Sequence, residues 1–238
     1  MASIYTLQQS CNWAQAFLGY LPLNVGASNE PAITSANTIL QTILAPPFKW
    51  RWNRNSVDFA LSANTQDYTQ SIADFGFIES CTVQATTGTD QAVYEIDIKD
   101  ELSGSTLSAR PNAVSVQKDD DAGNITFRFV AVPDQAYTCN VTYQKRAPQV
   151  SALSSTWTPI PDYLSYVYNW GFLALMSEYA DNEAVARLRQ LFVASLISLA
   201  QGITEEERNL FINSWLSNQI QVNTANQNVQ LAARARGI

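Results

Sequence analysis

The chain reads as an α+β protein. A helical bundle framework, made of an N-terminal helix pair plus C-terminal helices, is interrupted by an antiparallel β-sandwich or barrel-like insert and followed by an extended C-terminal tail. Three observations carry that reading. Apolar residues recur at spacings of three and four towards both ends, they alternate at a period of two through the middle, and Pro46-Pro47 and Ala147-Pro148 stand where the period changes. The expected division is residues 1–48 and 151–218 as two parts of one helical domain, 49–150 as the β insert and 219–238 as the tail.

The first helix is expected from Ile4 to Leu21, with Ile4, Leu7, Cys11, Ala14, Phe17, Leu18 and Leu21 on one face and Pro22 as its stop. Asn29 is a candidate N-cap for a second, whose face is Ile33, Ala36, Leu40, Ile43 and Leu44. Trp50 and Trp52 share a side if extended, among Lys49, Arg51 and Arg54. Interleaved aromatics and cations serve single-strand nucleic-acid binding, but in so short a run a packed tryptophan pair with rim cations is the commoner explanation.

The β block opens with Val57, Phe59 and Leu61, followed by a turn at Ala63 to Gln66 and less regular strands near 77–84 and 93–98. Ile125, Phe127 and Phe129 alternate with polar neighbours, as do Tyr137, Cys139, Val141 and Tyr143. These two runs are expected to be antiparallel neighbours with one buried face. After a Ser/Thr-rich link, Tyr163, Tyr166, Val167, Trp170, Leu173, Ala174 and Met176 form a helix with an aromatic face. Asp181 is a candidate cap for the next, which carries Ala184, Leu188, Leu191, Phe192, Ser195 and Leu199 and breaks at Gly202. Thr204 and Glu207 have capping-box spacing ahead of a short last helix ending near Trp215-Leu216.

Composition narrows the chemistry. Fourteen Lys and Arg against twenty-one Asp and Glu leave a net charge of -7, the wrong sign for a protein that grips phosphates through a basic surface. Histidine is absent, which removes the Ser-His and Cys-His schemes and the commonest zinc ligand. No phosphate-cradling glycine loop occurs. No catalytic, cofactor or metal site is expected: Asp119 to Asp121 reads as a solvated turn, not a calcium loop. Glu178 with Asp181, or Asp67 with Asp74 bordering a loop, carry no local signature of a glycosidase. Cys11, Cys81 and Cys139 form no CxxC pair; Cys11 and Cys139 fall on apolar faces and read as core residues of a reduced compartment. No signal peptide or membrane span is expected, and the sequons at Asn124 and Asn140 read as chance.

In its order of parts the chain resembles the head-to-tail adaptor (connector) proteins of tailed bacteriophages, including the tail tubular protein A group. The marks are the helix pair, Phe48-Lys49-Trp50-Arg51-Trp52-Asn53, Thr65-Gln66-Asp67-Tyr68 running towards Asp74-Phe75-Gly76-Phe77-Ile78, Val132-Pro133-Asp134-Gln135-Ala136-Tyr137, Val141 to Pro148, and Ile160-Pro161-Asp162-Tyr163. The resemblance implies a non-enzymatic virion protein assembled in host cytoplasm. It forms a homo-oligomeric ring, usually of twelve copies, between the portal and a downstream tail or nozzle protein, with double-stranded DNA passing through the lumen. It further implies that a C-terminal extension, here Gln219, Gln221, Asn223, Asn226, Gln230, Arg234 and Arg236, embraces the portal. Tyr163, Tyr166 and Trp170 would pack between subunits. The alternatives are a β-sandwich presenting aromatics to glycans or receptors and, behind it, a carboxylate-type glycan hydrolase.

Overall fold

A computed structural model of the chain describes residues 3–19, 29–88, 91–120, 122–200 and 202–216. It is an α+β fold whose chain divides into two compact units, Met1–Phe48 with Ala147–Ile238, and Lys49–Arg146. Of the sequence expectations, Leu21, Pro22, Asp121 and the whole proposed portal-binding segment from Gln219 to Arg236 lie outside the described residues.

The β unit is two four-stranded sheets enclosing one core. Its strands are β1 (Arg54–Leu61), β2 (Asp67–Ser71), β3 (Phe75–Ala85), β4 (Val93–Glu95), β5 (Asp97–Ile98), β6 (Ala113–Asp119), β7 (Asn124–Val130) and β8 (Tyr137–Lys145). One sheet runs β1-β8-β3-β4 and the other β2-β7-β6-β5, with β5 parallel to β6 and the other pairs antiparallel. The expectation that β7 and β8 pair is therefore corrected: each is an inner strand of a different sheet. Alternation reveals that one face is buried, but not which backbone the edges bond. Phe127 and Phe129 meet Cys139 and Val141 through the shared core instead.

The run 93–98 also divides between the sheets. Buried Ile96 donates its N–H to the Cys81 carbonyl at 3.0 Å, and Asp97 donates to that of Asn112 at 3.0 Å, so the chain changes sheets there. β2 and β6 are strands where the sequence pattern suggests a loop or nothing. Asp67, expected beside a loop, opens β2 opposite Arg128, whose Nε and Nη2 each donate to the carboxylate at 2.7 Å. Gly76 sits where β3 bulges against β8; a Cβ there would lie 2.7 Å from the Gln144 carbonyl oxygen.

In the helical unit α1 spans Leu7–Leu18 and α2 Ala32–Leu44. A 3-10 turn at Asp162–Leu164 leads into α3 (Ser165–Tyr179), then α4 (Val185–Leu199) and α5 over 205–216. α1 starts after Ile4 because Thr6 and Gln9 form a capping box, and it ends at Gly19 in the left-handed region. Ile4 and Phe17 are accordingly exposed, not part of the buried face. Two expected caps are corrected. Asn29 adopts φ 54°, and it is Glu30 Oε2 that accepts from the Thr34 N–H at 3.0 Å. Asp181 adopts φ 50°, while Asn182 Oδ1 accepts from the Ala184 N–H at 2.9 Å. The Thr204 and Glu207 capping box forms as expected, with the Thr204 N–H donating to Glu207 Oε2 at 2.9 Å and the Glu207 N–H to Thr204 Oγ1 at 3.2 Å.

α3 is the centre of this unit, packed against α1, α2 and α4. It is apolar on most sides, as an enclosed helix must be, and Gly171 lets Ile39 of α2 and Phe192 of α4 close on its backbone. Asn37 ties α2 to the returning chain by a two-way amide pair with the Val150 backbone, at 3.0 and 2.8 Å. At the far end Arg189 of α4 pairs with Glu178 of α3 and donates to the Trp215 carbonyl of α5 at 3.3 Å, so one cation links three helices. Glu178 is thus engaged with a cation and not paired with Asp181.

Candidate functional site

Among the described residues of the helical unit, aromatic side chains gather at the surface where the N-terminal segment crosses the start of α3. It is built from the inside outwards. Trp157 stacks on Tyr168 at 4.5 Å between ring centroids and 9° between planes, with Phe172 edge-on at 6.0 Å. The Trp157 indole N–H donates to Ser10 Oγ at 2.9 Å, and that hydroxyl donates to Asn169 Oδ1 at 2.8 Å. This buried relay pairs the indole N–H, the hydroxyl and the amide oxygen, and fixes α1 against α3. Burial pushes the Tyr168 phenol well above its ordinary range.

Asp162, in the 3-10 turn, secures the segment that precedes α1. Its carboxylate accepts from Ser3 Oγ at 2.6 Å and from the backbone N–H groups of Ile4 and Tyr5 at 3.2 and 3.3 Å. Those bonds, that from Ser3 first, hold its carboxyl below the usual carboxylate range. Leu7 and Gln8 then donate to the carbonyls of Ser155 and Leu153. The N-terminal segment is consequently held by backbone bonds, and Tyr5 and Trp13 stand beside α3.

The outer surface follows from this frame. Trp13 meets Trp170 edge-on at 5.4 Å, and together with Tyr5, Ser165, Tyr166 and Asn169 they line a shallow cleft of about 280 Å³. Tyr163 is 72% exposed and Tyr166 43%, with Trp170 half-buried. Of the three sequence-selected residues, Tyr166 and Trp170 line this cleft, and Tyr163 stands exposed in the 3-10 turn just before α3. The expected aromatic face of α3 is divided: Val167, Leu173, Ala174 and Met176 are buried with Tyr168 and Phe172, while Tyr166 is exposed and Trp170 half-buried. Sequence missed Tyr5 and Trp13, which join the patch only through tertiary contact.

The surroundings of this patch carry almost no charge. From Ser3 to Phe48 the one charged residue is Glu30, and the exposed positions of α1 are Gln8, Gln9, Asn12, Gln15, Ala16 and Phe17. Aromatic enrichment with charge depletion is the composition of an interface core, not of solvated surface.

The β unit offers no comparable surface among its described residues. Trp50 and Trp52 stack on each other at 5.5 Å and 19°, and Trp50 is 6% exposed. Arg54, close by in sequence, is engaged by Glu79, which also accepts from Gln144 Nε2 at 2.7 Å. Burial pushes the Glu79 carboxyl up, yet the bonds from Arg54 and Gln144 prevail and leave it lowered. Tyr137 and Tyr143 are core residues, Tyr68 packs against the core, and Arg110 lies over the Tyr94 ring at 3.6 Å. No group of ligands suited to a metal ion occurs among the described residues, and no helix among them is long and apolar enough to cross a membrane.

A family model described as SU10 adaptor protein matches residues 32–213. No curated protein matches the chain. Among solved structures, one titled as the neck of an empty GTA particle computed with C6 symmetry covers 90% of this chain and 94% of its own. The identity is 10% and the TM-score 0.26, too loose a likeness to carry an argument.

Proposed function

This chain belongs to the SU10 adaptor protein family, and from that premise we propose that it is a structural virion subunit. Copies of it stand side by side in a ring that joins the portal of the head to the tail and conducts DNA. The observation that carries the ring is the aromatic surface around Tyr163, Tyr166 and Trp170, whose nearby carboxylate, Asp162, is engaged by Ser3 and the backbone of Ile4 and Tyr5. An apolar patch of this kind on one side of a subunit is covered by a different surface of the next copy, and heterologous contacts of that sort close into rings.

Further details belong to the same reading. Twelve copies, kinship with the tail tubular protein A group and a downstream nozzle partner come from the resemblance. An acidic lumen is motivated by the net charge of -7, since a wall of like sign does not retain DNA. The segment carrying Gln219, Gln221, Asn223, Asn226, Gln230, Arg234 and Arg236 would grip the portal, its guanidinium groups taking carboxylates in bidentate fashion. A structural role leaves no need for catalysis. The glycan-binding alternative loses support because the sandwich turns most of its tyrosines inward.

Co-sedimentation with purified portal rings tests the proposal. The full chain should pellet with the rings, and a chain truncated after Ser217 should not. Absence of binding by the full chain at micromolar concentration would overturn it.

A further inference from the structure

α4 and α5 leave an apolar groove open beside the chain's last described residue. Phe192 meets Trp215 at 4.8 Å and Arg189 bonds the Trp215 carbonyl, which puts the end of α5 beside the start of α4. The two helices therefore run antiparallel. Val193, Ala194 and Ile197 form one wall, spaced as on one helix face, and Ile212 and Leu216 the other. The groove encloses about 340 Å³, with Gln190 at one end and Ser198 and Arg208 at the other. Leu216 is itself part of the wall, and the sequence continues from it over residues 217–238.

We propose that this groove is the seat of the chain's own C-terminal segment in the free subunit, a role separate from any grip on a portal. Within 217–238, Leu231, Ala235 and Ile238 are spaced by four and three, the pattern that lays one apolar stripe along a groove. The segment's charges are Arg234 and Arg236, with no acid. The groove end towards Arg208 is where α5 begins, with Glu205 and Glu206 exposed. A segment folding back from Leu216 along α5 brings its two arginines to those two carboxylates, which outnumber Arg208.

Reach and tethering favour this occupant over a second copy. α5 is about 18 Å long at 1.5 Å per residue, while the stretch 217–230 can span about 45 Å extended, ample for the return. A tether of that length holds its end at an effective concentration on the order of millimolar, above that of any subunit in free solution.

The test uses the full chain. Hydrogen exchange should show peptides over 190–198 and 205–216 at least tenfold better protected in the full chain than in one truncated after Ser217. A full-length Leu231→Asp, Ile238→Asp variant should match the truncation. Separately, an Ile197→Cys, Leu231→Cys variant treated with a short bismaleimide should cross-link within one chain, at monomer mass. Equal protection in all three chains, or a cross-link that appears only between chains, would overturn the proposal. Portal co-sedimentation of the same proteins reads the adaptor role independently, so either reading can fail alone.

Discussion

Substituting Gly171 by alanine tests whether α3 is clamped between α2 and α4 as closely as the structure holds it. A Cβ at this position would lie 2.7 Å from Ile39 Cδ1 and 2.8 and 2.9 Å from two ring carbons of Phe192, both fully buried residues. Carbon atoms settle at about 3.5–4.0 Å, so each neighbour must retreat by roughly 0.6 Å or more. Overpacking of that kind costs about 1–3 kcal/mol, and alanine in a helix interior returns about 1 kcal/mol relative to glycine. The expected result is a net loss of about 1 kcal/mol, seen as a lower urea midpoint with an unchanged slope and a fall in Tm of about 2–4 °C. Far-UV circular dichroism and tryptophan emission follow the helical unit. Gly202→Ala is the contrast: with φ +74° and nothing within 4 Å, its cost of about 1–2 kcal/mol would be purely backbone. Stabilisation of the Gly171→Ala protein by about 1 kcal/mol, as for an exposed helical glycine, would refute the close approach.

Three further outcomes follow from other parts of the molecule. Cys11, Cys81 and Cys139 are buried; burial pushes the Cys11 thiol up to about 11, and the bond to Cys81, then burial, pushes Cys139 higher still. The native protein should therefore give no reaction with Ellman's reagent within minutes and all three thiols in guanidinium; a fast native thiol would contradict that core. Asp67 is lowered by its bond from Arg128, so its contribution is complete above the ordinary carboxylate range and fades as pH falls through the lowered folded value. Because the pair is exposed to solvent, Asp67→Asn should lower Tm by no more than about 2 °C at pH 7, with the two stability curves converging at acid pH; a constant gap would rule the ion pair out as the cause. Tyr163→Arg with Tyr166→Arg, both on exposed positions, should leave Tm within about 2 °C yet abolish self-association on a portal template, read by sedimentation velocity; unimpaired association would remove the patch from the interface.

What the sequence could and could not disclose follows from which forces are local. The Thr204 and Glu207 box places the start of α5 because capping is settled within four residues. Thr6 and Gln9 carry the same signature and mark Ile4 as lying outside α1, against the pull of its apolar side chain. Alternation identifies the buried faces of β7 and β8, while β2, β1 and β3, which pair with them, lie far back along the chain. β2, with Tyr68 as its one aromatic, has too little pattern to announce a strand. Tyr166 and Trp170 are legible together because a spacing of four puts them on one face of α3, with Tyr163 in the turn that leads into it. Tyr5 and Trp13 are not, since contacts distant in sequence, to Asp162, Ser155 and the Ser10–Asn169 relay, bring them there. The charge depletion of residues 3–48 is visible in the sequence, but it acquires meaning once those helices are seen to have exposed faces.

Native mass spectrometry of purified portal rings mixed with increasing amounts of the full chain tests the central claim most directly. A ring-forming adaptor gives two populations, bare portal and portal carrying a complete complement of subunits, with few intermediates. A statistical ladder of singly and partially occupied portals, or no complex at all, would contradict the account of this chain as a laterally closed adaptor ring.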